Sequence, residues 1–169
     1  MPLIRPEQPA DLAAIHHVVT QAFQQAFGSV AEAKLVDQLR ANGKAIVSLV
    51  AVEGEQIVGH ILFSEVTIDD ATIIGLAPLA VLPSHQKQGI GARLTTAGIE
   101  ACRKAGYTAM VVLGHPEYYP RFGFVPASCF GIKSEYDVPD EVFMAMELTP
   151  GALSGCAGVA KYQPEFSEI

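Results

Sequence analysis

The sequence predicts one α/β domain, an α+β arrangement with a mixed sheet flanked by helices, and three stretches predict it. Between Ala45 and Ile68 two strand-like runs flank Glu53-Gly54-Glu55, a hairpin turn, so the early strands should be antiparallel. From Leu79 the order is an apolar run, Pro83, a polar loop over Ser84–Gln88, then Gly89-Ile90-Gly91 leading into a helical pattern that ends near Ala105. Ala109–Leu113 is an unbroken apolar run, expected to be buried on both faces and parallel to the strand before it. With 169 residues, one core is enough to bury the whole chain, so residues 1–169 are read as a single domain, with a tail from about residue 150.

Composition narrows the function. Half the residues are hydrophobic and 17% are charged, a globular composition far from disorder. The net charge of −7 argues against a nucleic-acid backbone as partner. Cys102, Cys129 and Cys156 are scattered and odd in number, without a CxxC pair or metal-ligand spacing. Reduced thiols, no metal and a cytoplasmic location are expected. The N-terminus lacks the basic flank and apolar core of a signal peptide, and no apolar run is long enough for a membrane span.

In chain order, Leu3–Arg5 reads as a first strand. Pro9 and Asp11 open a helix, with Asp11 near the positive end of its dipole and Leu12, Ile15, Val19, Ala22 and Phe23 along one apolar face. His16 and His17 are adjacent, so they cannot form an i,i+4 metal pair and read as solvated. Phe27-Gly28 breaks the pattern. Ser29-Val-Ala-Glu32 has capping-box spacing, and a second helix with Leu35, Val36 and Leu39 on its inner face should stop at Asn42-Gly43. Gly59 marks a candidate bulge in the second hairpin strand, and Asp69-Asp70 a turn. Ala71–Leu82 is the next strand although it holds Pro78, which a central strand tolerates only at an irregularity. In the following helix Leu94, Ala97, Ala101 and Cys102 fall at core-compatible steps, Cys102 as a small buried residue. Arg103 and Lys104 suit its negative end, and Gly106 ends it. Phe143–Leu148 is the expected last strand.

The junction at 79–94 carries the clearest chemistry. Backbone N–H groups at a helix start have no partner within the helix, and the helix dipole adds to their attraction for an anion such as a phosphate. Lys87 and Arg93 add local positive charge. A P-loop would need Lys-Ser/Thr after Gly91, and a dinucleotide fingerprint would need a third glycine where Leu94 stands. Gln86-Lys87-Gln88-Gly89-Ile90-Gly91 instead resembles the Arg/Gln-x-x-Gly-x-Gly/Ala signature of the GNAT N-acetyltransferase superfamily. His115-Pro-Glu-Tyr-Tyr-Pro-Arg-Phe-Gly-Phe124 resembles its YhbS-like branch, and the likeness continues through Pro126, Glu135-Tyr136, Val138-Pro139-Asp140 and Phe143–Leu148.

The resemblance implies a mostly antiparallel sheet that splays between its fourth and fifth strands, with a bulge at the fourth that accommodates Pro78. It implies acetyl-CoA, or coenzyme A, as cosubstrate. The pyrophosphate would lie on Gln86, Lys87, Gln88, Gly89, Ile90, Gly91, Ala92 and Arg93, and the pantetheine arm would pair with the main chain of Leu79, Ala80 and Val81. Tyr119, four residues before Gly123, takes the position of the general acid that protonates the departing thiolate. Tyr118 is then the better candidate for core packing. Relatives often place a glutamate base on the fourth strand, but 73–82 holds no carboxylate. Glu65, His115 and Glu117 stay open for that role, and Arg121 for pairing with a phosphate or with Glu117. Phe23, Phe27 and Glu32 could line the substrate side or serve packing and capping. The expected activity is transfer of an acetyl group to a primary amine of an unidentified small molecule or peptide. The alternative is a CoA-binding regulatory or interaction module without turnover. A cationic acceptor suits the acidic charge. No nucleic-acid or membrane partner is expected, and a homodimer stays open.

Overall fold

The computed structural model describes residues 2–168. Among them the strands are β1 (Leu3–Pro6), β2 (Val47–Glu53), β3 (Gln56–Ile68), β4 (Ala71–Val81), β5 (Ala109–Leu113), β6 (Val125–Pro126), β7 (Ile132–Ser134), β8 (Phe143–Glu147) and β9 (Gly158–Lys161). The helices are α1 (Leu12–Phe27), α2 (Ala31–Ala41) and α3 (Ile90–Lys104), with short 3-10 turns between elements. Hydrogen-bonded neighbours run β1-β2-β3-β4-β5-β8-β6, with β9 on β3 and β7 on β9. The sheet is mixed: β4 and β5 are parallel, as are β7 and β9, and the other registered pairs are antiparallel.

Contacts divide the chain into two units. The first is Met1–Phe63, Pro78–Ala101 and Pro164–Ile169, and the second is Ser64–Ala77 and Cys102–Gln163.

In the first unit, Ile15, Val18 and Val19 of α1 and Leu35, Val36 and Leu39 of α2 are all sealed from solvent. These residues recur at the three- and four-residue steps that put side chains on one helix face. Leu12 departs from the expected face: it is 38% exposed, and Val18 takes the inward position. Asp11 is buried, accepting the Gln8 N–H at 2.7 Å and two bonds from Arg5 at 2.7 and 3.1 Å, which ties the entry of α1 to β1. Gly28 ends α1 at φ 68. The expected capping box does not form in reciprocal shape. Ser29 Oγ donates to Glu32 Oε1 at 2.7 Å and accepts the Ala31 N–H at 3.2 Å, one residue ahead of where an N-cap would sit. His16 is exposed and meets Asp37 at 2.9 Å. The β2–β3 hairpin slips register between Ala51 and Val52, opposite the Gly59 neighbourhood, so the bulge expected at Gly59 is present.

In the second unit, β4 and β5 pair over Ile74–Leu76 and Met110–Val112. That register stops at Leu76 while β4 runs on to Val81, which is where the two strands were expected to part. Met110, Val111 and Val112 are fully buried, but Leu113 is 40% exposed, so burial on both faces ends one residue before the strand does. Cys102 is sealed, and burial pushes its thiol up to about 12, so it carries no thiolate near neutrality. The tail is more than an extended segment. β9 adds to β3 through Thr67–Lys161 and Ile68–Ala160, so β8 is not the last strand. The sequence hides β9 because Gly155-Cys-Ala-Gly158 offers no alternating pattern before it.

Candidate functional site

The first unit supplies the glycine loop. Leu82 N–H bonds the Val58 carbonyl at 2.8 Å, and Pro83–His85 makes one 3-10 turn. Proline suits the first position of such a turn because its missing N–H would have had no partner there. Gln86 folds back, its Nε2 donating to the Val81 carbonyl at 3.0 Å. One of the main-chain acceptors expected for a ligand arm is therefore occupied by the loop itself. Lys87 and Gly89 both take left-handed backbone conformations, at φ 63 and 84. For lysine this costs about 1 kcal/mol or more, while glycine adopts it freely. A Cβ on Gly89 would meet nothing within 4 Å, so the loop's outer side is open.

Helix α3 starts at Ile90, and its first helical bond is Arg93 N–H to the Gly89 carbonyl at 3.1 Å. Among the described residues the N–H groups from Lys87 to Ala92 have no acceptor. Ile90 and Leu94 are buried and hold the helix start in place. The exposed donors are thus fixed from beneath. Ala80 is buried, while Leu79 and Val81 are half-buried. Lys87 and Gln88 are exposed. Arg93 has a partner of its own: its guanidinium donates to the Pro2 carbonyl at 2.5 Å and so anchors the N-terminal segment.

The second unit supplies the tyrosine. The Gly114 N–H bonds the Val142 carbonyl at 2.9 Å, and the His115 carbonyl accepts N–H groups of both Tyr118 and Tyr119 at 3.1 and 3.3 Å. The expected short helix is a 3-10 turn, Tyr119–Phe122, with Pro120 in its first positions and Gly123 ending it at φ 106. Only the packing expectation is reversed, because the ring sealed in the core is that of Tyr119. Tyr119 is the buried ring, 7% exposed, and Tyr118 is half-buried under the Arg121 guanidinium, 4.5 Å from its centroid. The 3-10 turn begins at Tyr119 and turns its ring inward against Phe124, edge-on at 5.8 Å and 82°. Burial, with a smaller contribution from Tyr118, raises the Tyr119 phenol above its usual value, so it holds its proton throughout the neutral range.

The residues named for the base separate clearly. Glu65 Oε2 accepts the Tyr107 hydroxyl at 2.6 Å. His115 and Glu117 are exposed. Arg121 turns its Nε to the Tyr118 carbonyl at 2.8 Å and forms no ion pair with Glu117 among the described residues. Phe23 and Glu32 are half-buried in the first unit. The side chain of Phe27 lies outside the described residues.

One cluster escaped the sequence reading. Arg40 of α2 donates to both Glu7 oxygens at 2.8 Å. The Ser48 hydroxyl of β2 meets Glu7 Oε1 and also lies 2.8 Å from His60 Nε2 on β3. His60 is 0% exposed, and its Nδ1 has no partner among the described residues. Burial works against the Glu7 carboxylate, but its bonds from His60, Arg40 and Ser48 overcome this and hold it well below the usual range. Burial lowers His60, with Glu7 opposing. An ionised Glu7 can only accept, so the Ser48 proton points to it and His60 donates from Nε2. The alternation of side chains along β3 could have flagged His60 as an inward polar residue, but its partners lie 12 to 53 residues away in the chain.

The family model described as Acetyltransferase (GNAT) family matches residues 12–124. The chain belongs to the GNAT acetyltransferase family. The uncharacterised N-acetyltransferase YhbS of Escherichia coli K12 is 35% identical over 170 residues, covering 99% of each chain. A second relative from that organism, the uncharacterised N-acetyltransferase YjhQ, is 40% identical over 86% of this chain and 85% of its own. The crystal structure of E. coli YhbS in complex with CoA matches with a TM-score of 0.92 and 34% identity, covering 98% of this chain and 92% of that one. A GNAT acetyltransferase from Brucella melitensis in complex with acetyl-CoA matches at 0.83 and 36%, covering 98% of both. Among the described residues no helix is long and apolar enough to cross a membrane, and no three His, Cys, Asp or Glu residues gather as a metal site.

Proposed function

We propose that this chain binds acetyl-CoA and transfers its acetyl group to a primary amine of a small molecule or peptide, with Tyr119 as general acid. The observation that carries this reading is the match over 98% of the chain to two relatives whose structures hold CoA and acetyl-CoA. The chain's own residues fit such a cosubstrate. The unpartnered N–H groups from Lys87 to Ala92, at the positive end of α3 and beside the open face of Gly89, suit a pyrophosphate. Leu79, Ala80 and Val81 offer the strand backbone for the pantetheine arm, with the Val81 carbonyl available once Gln86 swings away. Lys87 supplies the loop's positive charge, while Arg93 acts through the N-terminal segment it holds.

When bound, acetyl-CoA supplies an activated acyl carbonyl and a thiolate leaving group. Tyr119 keeps a proton on Oη at neutral pH and can give it up to a developing anion. His115 and Glu117, exposed just past β5, are the candidates to take the proton that the acceptor ammonium must lose before its amine attacks. Glu65 is less suited, because the Tyr107 hydroxyl already occupies its carboxylate. The net charge of −7 favours cationic acceptors such as polyamines, aminoglycosides or lysine-bearing peptides.

A panel of such amines, incubated with acetyl-CoA and followed by release of free thiol, tests the proposal. Turnover with at least one cationic amine is expected. Binding of acetyl-CoA without thiol release for any amine would replace the enzyme reading with that of a CoA-binding module. Stabilisation by NAD or ATP and not by CoA would remove both.

A further inference from the structure

Gly114 directly follows β5 and leads into the tyrosine turn, and the Tyr119 ring lies directly on it. A Cβ at position 114 would stand 2.4 Å from Tyr119 Cε2, 3.0 Å from Cδ2 and 3.4 Å from Cζ. The backbone does not require glycine here, since Gly114 is absent from the residues with left-handed φ. The three atoms nearest to that Cβ all belong to the Tyr119 ring. Neither partner can retreat freely. The Gly114 N–H is held by the Val142 carbonyl at 2.9 Å. The ring is backed by Phe124, which is 1% exposed, and flanked by Tyr118 and Phe122 at 5.1 and 6.3 Å.

We propose that Gly114 is the positioning residue for Tyr119: its missing Cβ is the seat on which the ring lies, and that seat sets where the hydroxyl stands. The inference rests on the reading of Tyr119 as general acid but concerns a different residue and makes separate predictions. In Gly114→Ala the closest contact must open from 2.4 Å to beyond 3.0 Å, so the ring tilts or slides and Oη moves with it. A displacement on the order of 1 Å at a reacting group can cost about 10²-fold in rate.

The experiment is a kinetic cycle over Gly114→Ala and Tyr119→Phe, joined to NMR of the unliganded protein carrying ring-labelled tyrosine. The chain has five tyrosines, and the Tyr119 signal is the one lost in Tyr119→Phe. Gly114→Ala should lower kcat by roughly 10-fold or more with KM for acetyl-CoA nearly unchanged, and should shift the Tyr119 signal. In the Tyr119→Phe background it should cost nothing further. Equal losses in both backgrounds would overturn the proposal, as would an unmoved Tyr119 signal. If Tyr119→Phe itself leaves kcat unchanged, the general-acid reading falls, while the NMR shift still decides whether Gly114 seats the ring. If Gly114→Ala does not fold, Gly114→Ala combined with Tyr119→Ala is the second test. Restored folding supports the seat, and continued failure to fold overturns it.

Discussion

The loop of residues 86–91 and the turn of residues 114–124 each follow a strand, yet they present chemistry in opposite ways. In the loop the groups on offer are backbone amides from Lys87 to Ala92, and the side chains around them are exposed or turned to other work, as Gln86 and Arg93 are. In the turn the group on offer is one hydroxyl, and its place depends on Phe124, Tyr118, Phe122 and the bare backbone of Gly114. A site made of amides tolerates many side chains but few backbone changes. A site made of one packed ring tolerates the reverse.

The largest expected effect tests the amide side of that contrast. Gly89→Glu forces a side chain onto a residue at φ 84 and sets a negative charge among the free amides. Ligand that binds the native state raises its melting temperature with concentration, and acetyl-CoA should lose this effect at Gly89→Glu, with affinity weaker by about 10²-fold or more. A wild-type shift in this variant would break the comparison, because the loop would then not be the cradle.

Next comes the ring. Tyr119→Phe keeps the packing and removes the proton donor, so kcat should fall by roughly 10²-fold while the melting temperature stays close to wild type. Tyr118→Phe, whose ring is half-buried beneath Arg121, should be near neutral. Equal losses at both positions would mean that the turn acts through packing.

The Glu7, Arg40, Ser48 and His60 cluster sharpens the contrast further, because it is built wholly from side chains in the same unit as the loop. Its proton affinity is lower folded than unfolded at His60, so stability is complete above the ordinary histidine value and declines as pH falls below it. Glu7 has the depressed carboxylate of the usual acidic case, and its contribution is lost only at lower pH. Below about pH 6.5 the unfolding free energy should therefore fall as pH falls, by at most about 1.4 kcal/mol per pH unit from His60 alone. Urea titrations of wild type and His60→Gln check this. Parallel pH dependence in the two proteins would show that His60 already accepts a proton in the native state.

The smallest effect is at Lys87. Its ammonium is exposed, so Lys87→Ala should weaken acetyl-CoA binding by less than about tenfold, and the difference should shrink with added salt. A loss as large as that of Gly89→Glu would shift the weight of the loop from its amides to a side chain.

How much of this was legible follows the range over which each feature is encoded. The β2–β3 hairpin, its bulge at Gly59, α3 between its glycines and the β5 run could be read directly, because alternation, helical steps and glycine or proline stops are local patterns. The run of free amides was legible for the same reason, as a strand, a glycine and a helix start in succession suffice to expose those donors. Periodicity could not rank Tyr119 above Tyr118 as the buried ring, since neighbours on one turn differ only in what the rest of the chain brings against them, here Phe124 and Gly114. β9 stayed hidden because its partners are Thr67 and Ile68, far back in the chain. The His60 cluster joins residues from four separate segments, so no window of sequence contains it. The sequence by itself determined the order of elements and the loop of free amides, both properties of a few consecutive residues. Tertiary structure alone decided which tyrosine is buried and which histidine is sealed, because burial is set by distant segments meeting and the cost of desolvating a polar group exists only once they have met.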